Sequence, residues 1–322
     1  MKKILFLIVV LLLTVNIQAQ IEKPRLSFPI GNWNLRLISM HNLYPTYLAD
    51  PLGVRFETLS QNFIYSDFDH NDEINQGGDY KGKLTLMTGA RFSLFRFSPK
   101  DNPELGIEID LGIATPQVMR GGNHDLLESD GIYYLAIAAR PSEWLALRFS
   151  KHHICTHLGD EFVGGTVNSP TDYDPNITQL PVRDDFILSA AVKPLYFLGI
   201  PQLDILQVYG DFGFFLPGVD FLGRRQNKPN RTAYLNFQGG AELEYYFANK
   251  YFGGIFSAVN VSSYQLNSFS PNVNISGGYI FPQKRNAHRL RIGMNYYNGR
   301  SLSNQFYNRK EKFVAFHVAV DF

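Results

Sequence analysis

Cysteine occurs once, at Cys155, so no disulfide within the chain can brace the fold. Charge of one sign is lacking too: 30 Lys and Arg against 29 Asp and Glu leave a formal +1, without the basic field that a nucleic-acid partner needs. Long apolar runs are missing. The one near the N-terminus, Ile4 to Thr14, is about a dozen residues, short of the ~20 that a helix needs to cross a bilayer. Preceded by Lys2 and Lys3 and followed by the small-residue site Ile17-Gln18-Ala19, it reads as a signal peptide over 1–19, with the mature chain starting near Gln20. No linker, low-complexity run or solenoid-type repeat divides the 322 residues, so one domain is expected after a short leader segment.

What the sequence has is alternation. Beyond Pro51, period-2 segments bounded by turn residues recur about twelve times, near 54–61, 83–96, 104–114, 131–140, 143–153, 184–196, 203–216, 232–247, 251–264, 271–281, 288–299 and 312–322. Leu105, Ile107, Ile109, Leu111 and Ile113 take one face while Gly106, Glu108, Asp110 and Gly112 take the other. A soluble sandwich alternates as well, so the connections decide. Short ones (98–103, 140–142, 198–201, 248–250, 282–287) trade places with long polar ones (62–82, 115–130, 154–183, 217–231, 299–311), with the one exception of 265–270, which is of middle length; this is the pattern of a barrel with turns at one end and loops at the other. A polar lumen also explains the mean hydropathy of −0.15, because apolar-out and polar-in residues cancel. The expected fold is all-β: an antiparallel up-and-down transmembrane β-barrel of about twelve strands, at residues 52–322, with a short N-terminal extension.

The last residues, Lys312 to Phe322, put Val314, Phe316, Val318, Val320 and Phe322 on one face and Phe313, Ala315, His317, Ala319 and Asp321 on the other. A strand that ends the chain on an aromatic residue resembles the closing strand of bacterial outer-membrane barrels. That resemblance implies an outer-membrane location in a Gram-negative-type envelope, lipid as a partner, and delivery by the barrel-assembly machinery through the strand ending at Phe322. Asp321, off the oily face, is expected to tolerate Asn.

Fixing the lipid face by alternation turns Lys83, Arg91, Glu108, Asp110, Arg148, His152, Glu242, Glu244, Arg289 and Arg291 inward. Both signs are present, so pairing across strands and a partly occluded lumen are expected rather than the one-sign ring of a selective pore.

One cluster looks chemical. His152-His153-Ile154-Cys155-Thr156-His157-Leu158-Gly159-Asp160-Glu161 gathers three of the eight histidines, the one cysteine and two carboxylates at the start of the longest expected loop. Cys155 with His153 or His157 and an orienting Asp160 or Glu161 has the makings of an activated nucleophile. The same residues could ligate a metal, but on a continuing strand His153 and His157 stand ~13 Å apart, so a metal site needs a turn after Ile154. The plainer alternative is a turn in which His157 and Asp160 bond each other and order the loop. No cofactor or metal is expected.

Tyr44-Pro45-Thr46-Tyr47-Leu48-Ala49-Asp50-Pro51, Leu126–Gly131, Arg148 and His153–Phe162 together resemble a family of bacterial outer-membrane proteins catalogued only as a domain of unknown function. The family carries an Ala-Asp-Pro box near the mature N-terminus and a His-x-Ser-Ser-His-Leu-Gly-Asp-Glu box at mid-chain. This chain matches the second box at His153, His157, Leu158, Gly159, Asp160 and Glu161 and departs at Cys155 and Thr156, where the family has serines. The resemblance implies a location and no activity.

The segment 20–51 holds Pro24, Pro29, Pro45 and Pro51, which suit an extended chain, and its apolar residues call for burial as a periplasmic cap or a lumen plug. Asp67, Asp69, Asp72 and Glu73 read as a solvated acidic loop in place of a Ca²⁺ site, since the glycine of an EF-hand loop is missing. Asn176-Ile177-Thr178 and Asn230-Arg231-Thr232 match the glycosylation pattern, which carries little weight in a bacterial envelope. The leading expectation is a structural, binding or small-solute transport barrel. The alternative is a membrane-embedded hydrolase of lipid or lipopolysaccharide acyl chains with a rim site at His153, Cys155 and His157.

Overall fold

The computed structural model describes residues 26–67, 82–120, 126–159, 182–200, 205–217, 234–249, 251–282 and 288–322. The signal segment, Asp69, Asp72, Glu73, Asp160, Glu161 and both glycosylation patterns lie outside these residues. Twelve antiparallel strands close on themselves: β3 (Phe56–Ser66), β4 (Gly82–Pro99), β5 (Gly106–Arg120), β6 (Leu126–Ser142), β7 (Leu145–Leu158), β8 (Val182–Val192), β9 (Leu206–Pro217), β10 (Tyr234–Tyr246), β11 (Gly254–Tyr264), β12 (Pro271–Ile280), β13 (Arg289–Arg300) and β14 (Lys310–Asp321). Each pairs with the next, and β14 returns to β3 with Val320 opposite Phe56, so the barrel has no open edge. One turn of helix, α1 (Pro194–Phe197), caps the β8–β9 connection.

Closure fixes two faces, because side chains alternate along every strand. On β7, Leu147 and Phe149 point out and stay exposed while Ala146 and Ser150 are buried inside. Ile137, Leu188 and Phe212 continue that exposed apolar wall on β6, β8 and β9. The interior is filled by side chains of both signs: Arg91, Arg96, Glu108, Asp110, Glu242, Arg291, His317 and Asp321 are each at most 2% exposed.

Three features depart from the expectations above. The N-terminal segment is not simply extended: β1 (Ser27–Ile30) and β2 (Trp33–Ser39) form a hairpin, and β2 pairs with the lower half of β4, from Trp33 opposite Pro99 to Ser39 opposite Ser93. Strand β3 occupies β4 only over Gly82–Met87, and that leaves the lower edge of the longest strand open to a second partner. β5 and β6 run on to Arg120 and from Leu126, so what reads as a long polar loop over 115–130 is largely paired strand. β7 likewise continues to Leu158, its polar residues held by ladders to β6 and β8.

Asp321 faces inward, as expected, but in a charged and crowded setting that argues against tolerance of Asn. Its carboxylate is 1% exposed and lies between Arg291, Arg55 and Arg289.

Candidate functional site

The extended β7 rearranges the histidine cluster. Even-numbered residues face the lumen: Arg148, His152 and Thr156. There the Arg148 guanidinium sits 4.5 Å over the Tyr44 ring, His152 stacks on Tyr134 at 4.8 Å, and Thr156 Oγ1 accepts from Asn304 Nδ2 at 2.9 Å. Odd-numbered residues, Lys151, His153, Cys155 and His157, take the outer wall. No turn follows Ile154, so His153 and His157 stay about four residues of strand apart, ~13 Å, and cannot share a metal. The compact turn expected over His153–Glu161 is likewise excluded up to Leu158. No group of three metal-ligating side chains occurs among the described residues.

The carboxylate that His153 meets comes from β8. Asp184 is its cross-strand partner, and His153 Nδ1 donates to Asp184 Oδ1 at 2.7 Å. Lys151 Nζ donates to the other oxygen at 3.1 Å. Both members of the His–Asp pair are buried, at 6% and 1%, although they sit on the outer face. Cys155 lies two residues along on the same face, a Cα separation of ~7 Å. Its thiol accepts from Tyr133 Oη at 3.1 Å and donates to the Gly131 carbonyl at 3.7 Å. The Tyr133 ring in turn stacks on His153, with centroids 5.2 Å apart. Below the cluster run Phe149, Phe186 and Leu188, so a thiol, an imidazole and its carboxylate stand at the upper margin of an apolar wall. Asp184, Lys151 and Tyr133 carry no motif in the sequence. They join the cluster through strand register, with Asp184 31 residues from His153.

The lumen is a different kind of site. The chain leaves β2 at Ser39, passes inside and fills the barrel over residues 42–55, where Leu43, Tyr44, Tyr47, Leu48 and Ala49 are all below 5% exposed. Wall side chains satisfy its backbone. Glu108 accepts from the Leu43 amide at 2.7 Å, Glu242 from the Leu48 amide, and Asn274 donates to the Ala49 carbonyl at 2.8 Å. Arg91 donates to Asp110 at 2.8 Å and to the Tyr44 carbonyl at 3.2 Å. Tyr47 stacks on Tyr209 at 3.5 Å and donates to Asp211 at 2.9 Å. Burial pushes the phenols of Tyr44 and Tyr47 up, while the carboxylates of Glu57 and Asp321 outweigh desolvation and hold Arg55 charged. Arg55 joins the plug to the barrel: it donates to the Tyr47 carbonyl at 3.0 Å and lies 3.2 Å from Glu57.

Beneath the plug a vestibule of about 880 Å³ opens at the short-turn end. Glu244 and Arg289, 2.5 Å apart, line it, as do Arg140 and Glu143. His41 donates to Glu104 at 3.1 Å on its rim, and this bond is the chief reason the Glu104 carboxyl is held down to about 2. A second cavity above the plug is smaller, about 120 Å³, with His152, Arg183 and Asp185 on its wall.

The barrel has solved counterparts of low similarity. It matches the NanC porin with 9% identity and a TM-score of 0.43 over 83% of this chain and 100% of that one. It matches the outer membrane phospholipase A from Escherichia coli with 11% identity and a TM-score of 0.45 over 86% and 99%. The OccD1 (OprD) structure aligns with 12% identity and a TM-score of 0.33 over 91% and 75%. No curated protein matches the sequence. A family model, described as protein of unknown function (DUF1207), matches residues 36–322, which takes in the plug and the whole barrel, and the chain belongs to that family.

Proposed function

We propose that this chain is an outer-membrane barrel, closed through its lumen, that carries a cysteine-type acyl hydrolase site on its lipid-facing wall. The leader over 1–19 and the aromatic-ended strand at Phe322 support the location and delivery by the assembly machinery. The observation that carries the chemistry is the 2.7 Å bond between His153 Nδ1 and Asp184 Oδ1, with Cys155 on the same face. Ion pairs in the lumen hold the plug and need no further role. A buried carboxylate on an apolar outer wall is costly, and an ionisable group at such a place marks function before structure.

The chemistry follows from the roles. Asp184 fixes the tautomer by accepting from Nδ1, which puts the basic lone pair of the ring on Nε2. Rotation of Cys155 away from Tyr133 brings Sγ toward Nε2, which takes the thiol proton as sulfur attacks the carbonyl carbon of an ester. Collapse breaks the C–O bond and the same proton leaves with the alcohol; water, deprotonated by His153, then attacks the thioester, the C–S bond breaks to release the fatty acid, and the proton returns from His153 to the Cys155 thiolate. The apolar strip of Phe149, Phe186 and Leu188 suits an acyl chain, so the substrate class is a lipid or lipopolysaccharide acyl ester at the membrane rim.

The test is release of fatty acid from a micellar phospholipid by the purified barrel. Cys155→Ala and His153→Asn should abolish it, and Asp184→Asn should lower it by about 10⁴-fold in kcat, as loss of the orienting carboxylate does elsewhere. Cys155→Ser should keep a measurable rate. Hydrolysis unchanged by Cys155→Ala, or absent from the folded wild-type barrel across phospholipid and lipopolysaccharide esters, would sink the proposal.

A further inference from the structure

The β1–β2 hairpin has an apolar face that stays exposed, and none of the described residues packs over it. Phe28, Ile30 and Trp33 are exposed by 47%, 51% and 38%. Register places them in rows that continue the outer wall of the barrel: Phe28 opposite Leu35, Leu35 opposite Phe97, Phe97 opposite Ile107. A second row runs from Leu37 through Phe95 and Ile109 to Ile137. The other face bears Ser27, Asn34 and Arg36, beside Ser98 and Arg96 of β4. The hairpin is therefore amphipathic across its sheet, and its oily side lies flush with the barrel's.

We infer that this hairpin is seated in the bilayer at the short-turn end, its apolar face in contact with phospholipid acyl chains, as an extension of the wall below β3. The inference rests on the outer-membrane reading above. Continuity of register argues for lipid over a protein partner, because any solvent that meets Phe97 and Ile107 meets Leu35 and Phe28 in the same plane. Trp33, opposite Ile30 and Pro99 and so one row nearer the short turns, stacks flat on Phe97, 4.7 Å between centroids and 7° between planes. That is the level at which aromatic side chains gather on barrels, and Phe197, Tyr251 and Phe252 stand exposed at the same end. Pro29 on the outermost strand offers no amide to a docking strand, so the free edge of β1 is poorly built for a protein partner.

Trp33 and Trp144 are the two tryptophans of the chain, so Trp144→Phe leaves Trp33 as sole reporter. The companion variant Trp33→Phe/Trp144→Phe/Phe149→Trp reports on the barrel wall. Both are reconstituted in phosphatidylcholine vesicles with brominated acyl chains after heat-modifiable mobility has shown them folded. Quenching of Trp33 comparable to that of the Phe149→Trp reporter is expected. Quenching of the wall reporter with Trp33 spared and open to aqueous acrylamide would overturn the inference and leave the barrel reading standing. Trp33 shielded from both quenchers would give the face to a second copy and overturn it equally. Failure of the wall reporter itself to be quenched would remove the membrane reading, and this inference with it.

Discussion

Arg291 of β13 grips Asp321 of β14 with two bonds, Nε to Oδ2 at 2.8 Å and a terminal nitrogen to Oδ1 at 3.2 Å. Arg55 of the plug reaches the same carboxylate at 3.6 Å and Arg289 at 3.7 Å. One acid in the closing strand thus ties the barrel seam to the segment that fills it.

Asp321→Asn removes a buried charge that three guanidinium groups share. Taking away one partner of a buried pair costs about 3–5 kcal/mol, since the cations left behind have lost their counter-charge. The temperature at which the folded, fast-migrating band is lost on a gel should fall accordingly. An unchanged transition would show that Glu57 and Glu244 suffice to hold the three arginines.

Gly112 faces Tyr134 across the β5–β6 ladder, and a Cβ there would come within 2.1 Å of the ring. That ring cannot yield freely, because its hydroxyl bonds Asp110 and Arg148 lies over its face. Gly112→Ala should therefore cost about 1–3 kcal/mol, as overpacking does. Gly210→Ala is the control: a Cβ there meets nothing closer than 3.9 Å. Equal stability of the two variants by urea titration would refute the packing argument.

The His41–Glu104 bond on the vestibule rim gives a pH dependence with a definite sign. A carboxyl held down to about 2 when folded contributes stability that is complete above its unfolded value near ~4.3 and is lost as pH falls through 2. Both side chains are a third exposed, so the contribution is at most about 1 kcal/mol. Acid unfolding of wild type and Glu104→Gln, followed by tryptophan fluorescence, should diverge above pH 4 and converge near pH 2. Parallel curves across that range would show that the bond contributes nothing.

The barrel was legible because two periodicities agree: alternation within strands and alternation of connection length. What escaped depends on contacts that no local pattern encodes. Ser27–Ile30 is four residues long and includes Pro29, below what alternation can reveal. The run Ile154–His157 reads as the start of a long loop, yet ladders on either side keep it extended, so Cys155 and His157 stay on the wall with His153 while Thr156 turns to the lumen. Asp184 could be assigned to His153 only once the register of β7 on β8 was in hand. The Ala-Asp-Pro box states its composition but not that Glu108, Glu242 and Asn274 wait in the wall for its backbone.

The plug makes a prediction about conductance. It carries Tyr44 and Tyr47, both below 5% exposed, whose hydroxyls bond each other while Tyr47 stacks on Tyr209. Neither ring holds the barrel closed, since the strand ladders and the Arg291–Asp321 pair do that without them. Removing both rings takes out two large side chains and leaves the backbone anchors at Glu108, Glu242 and Asn274 in place. The wild-type barrel in a planar bilayer should therefore be silent, and Tyr44→Ala/Tyr47→Ala should conduct at unchanged heat-modifiable mobility. Further loosening by Glu242→Gln, which weakens the acceptor for the Leu48 amide, should raise conductance again. Steady open-channel current from the wild type, equal to that of the double variant, would mean that the segment 42–55 leaves a solute path and that the lumen is not closed.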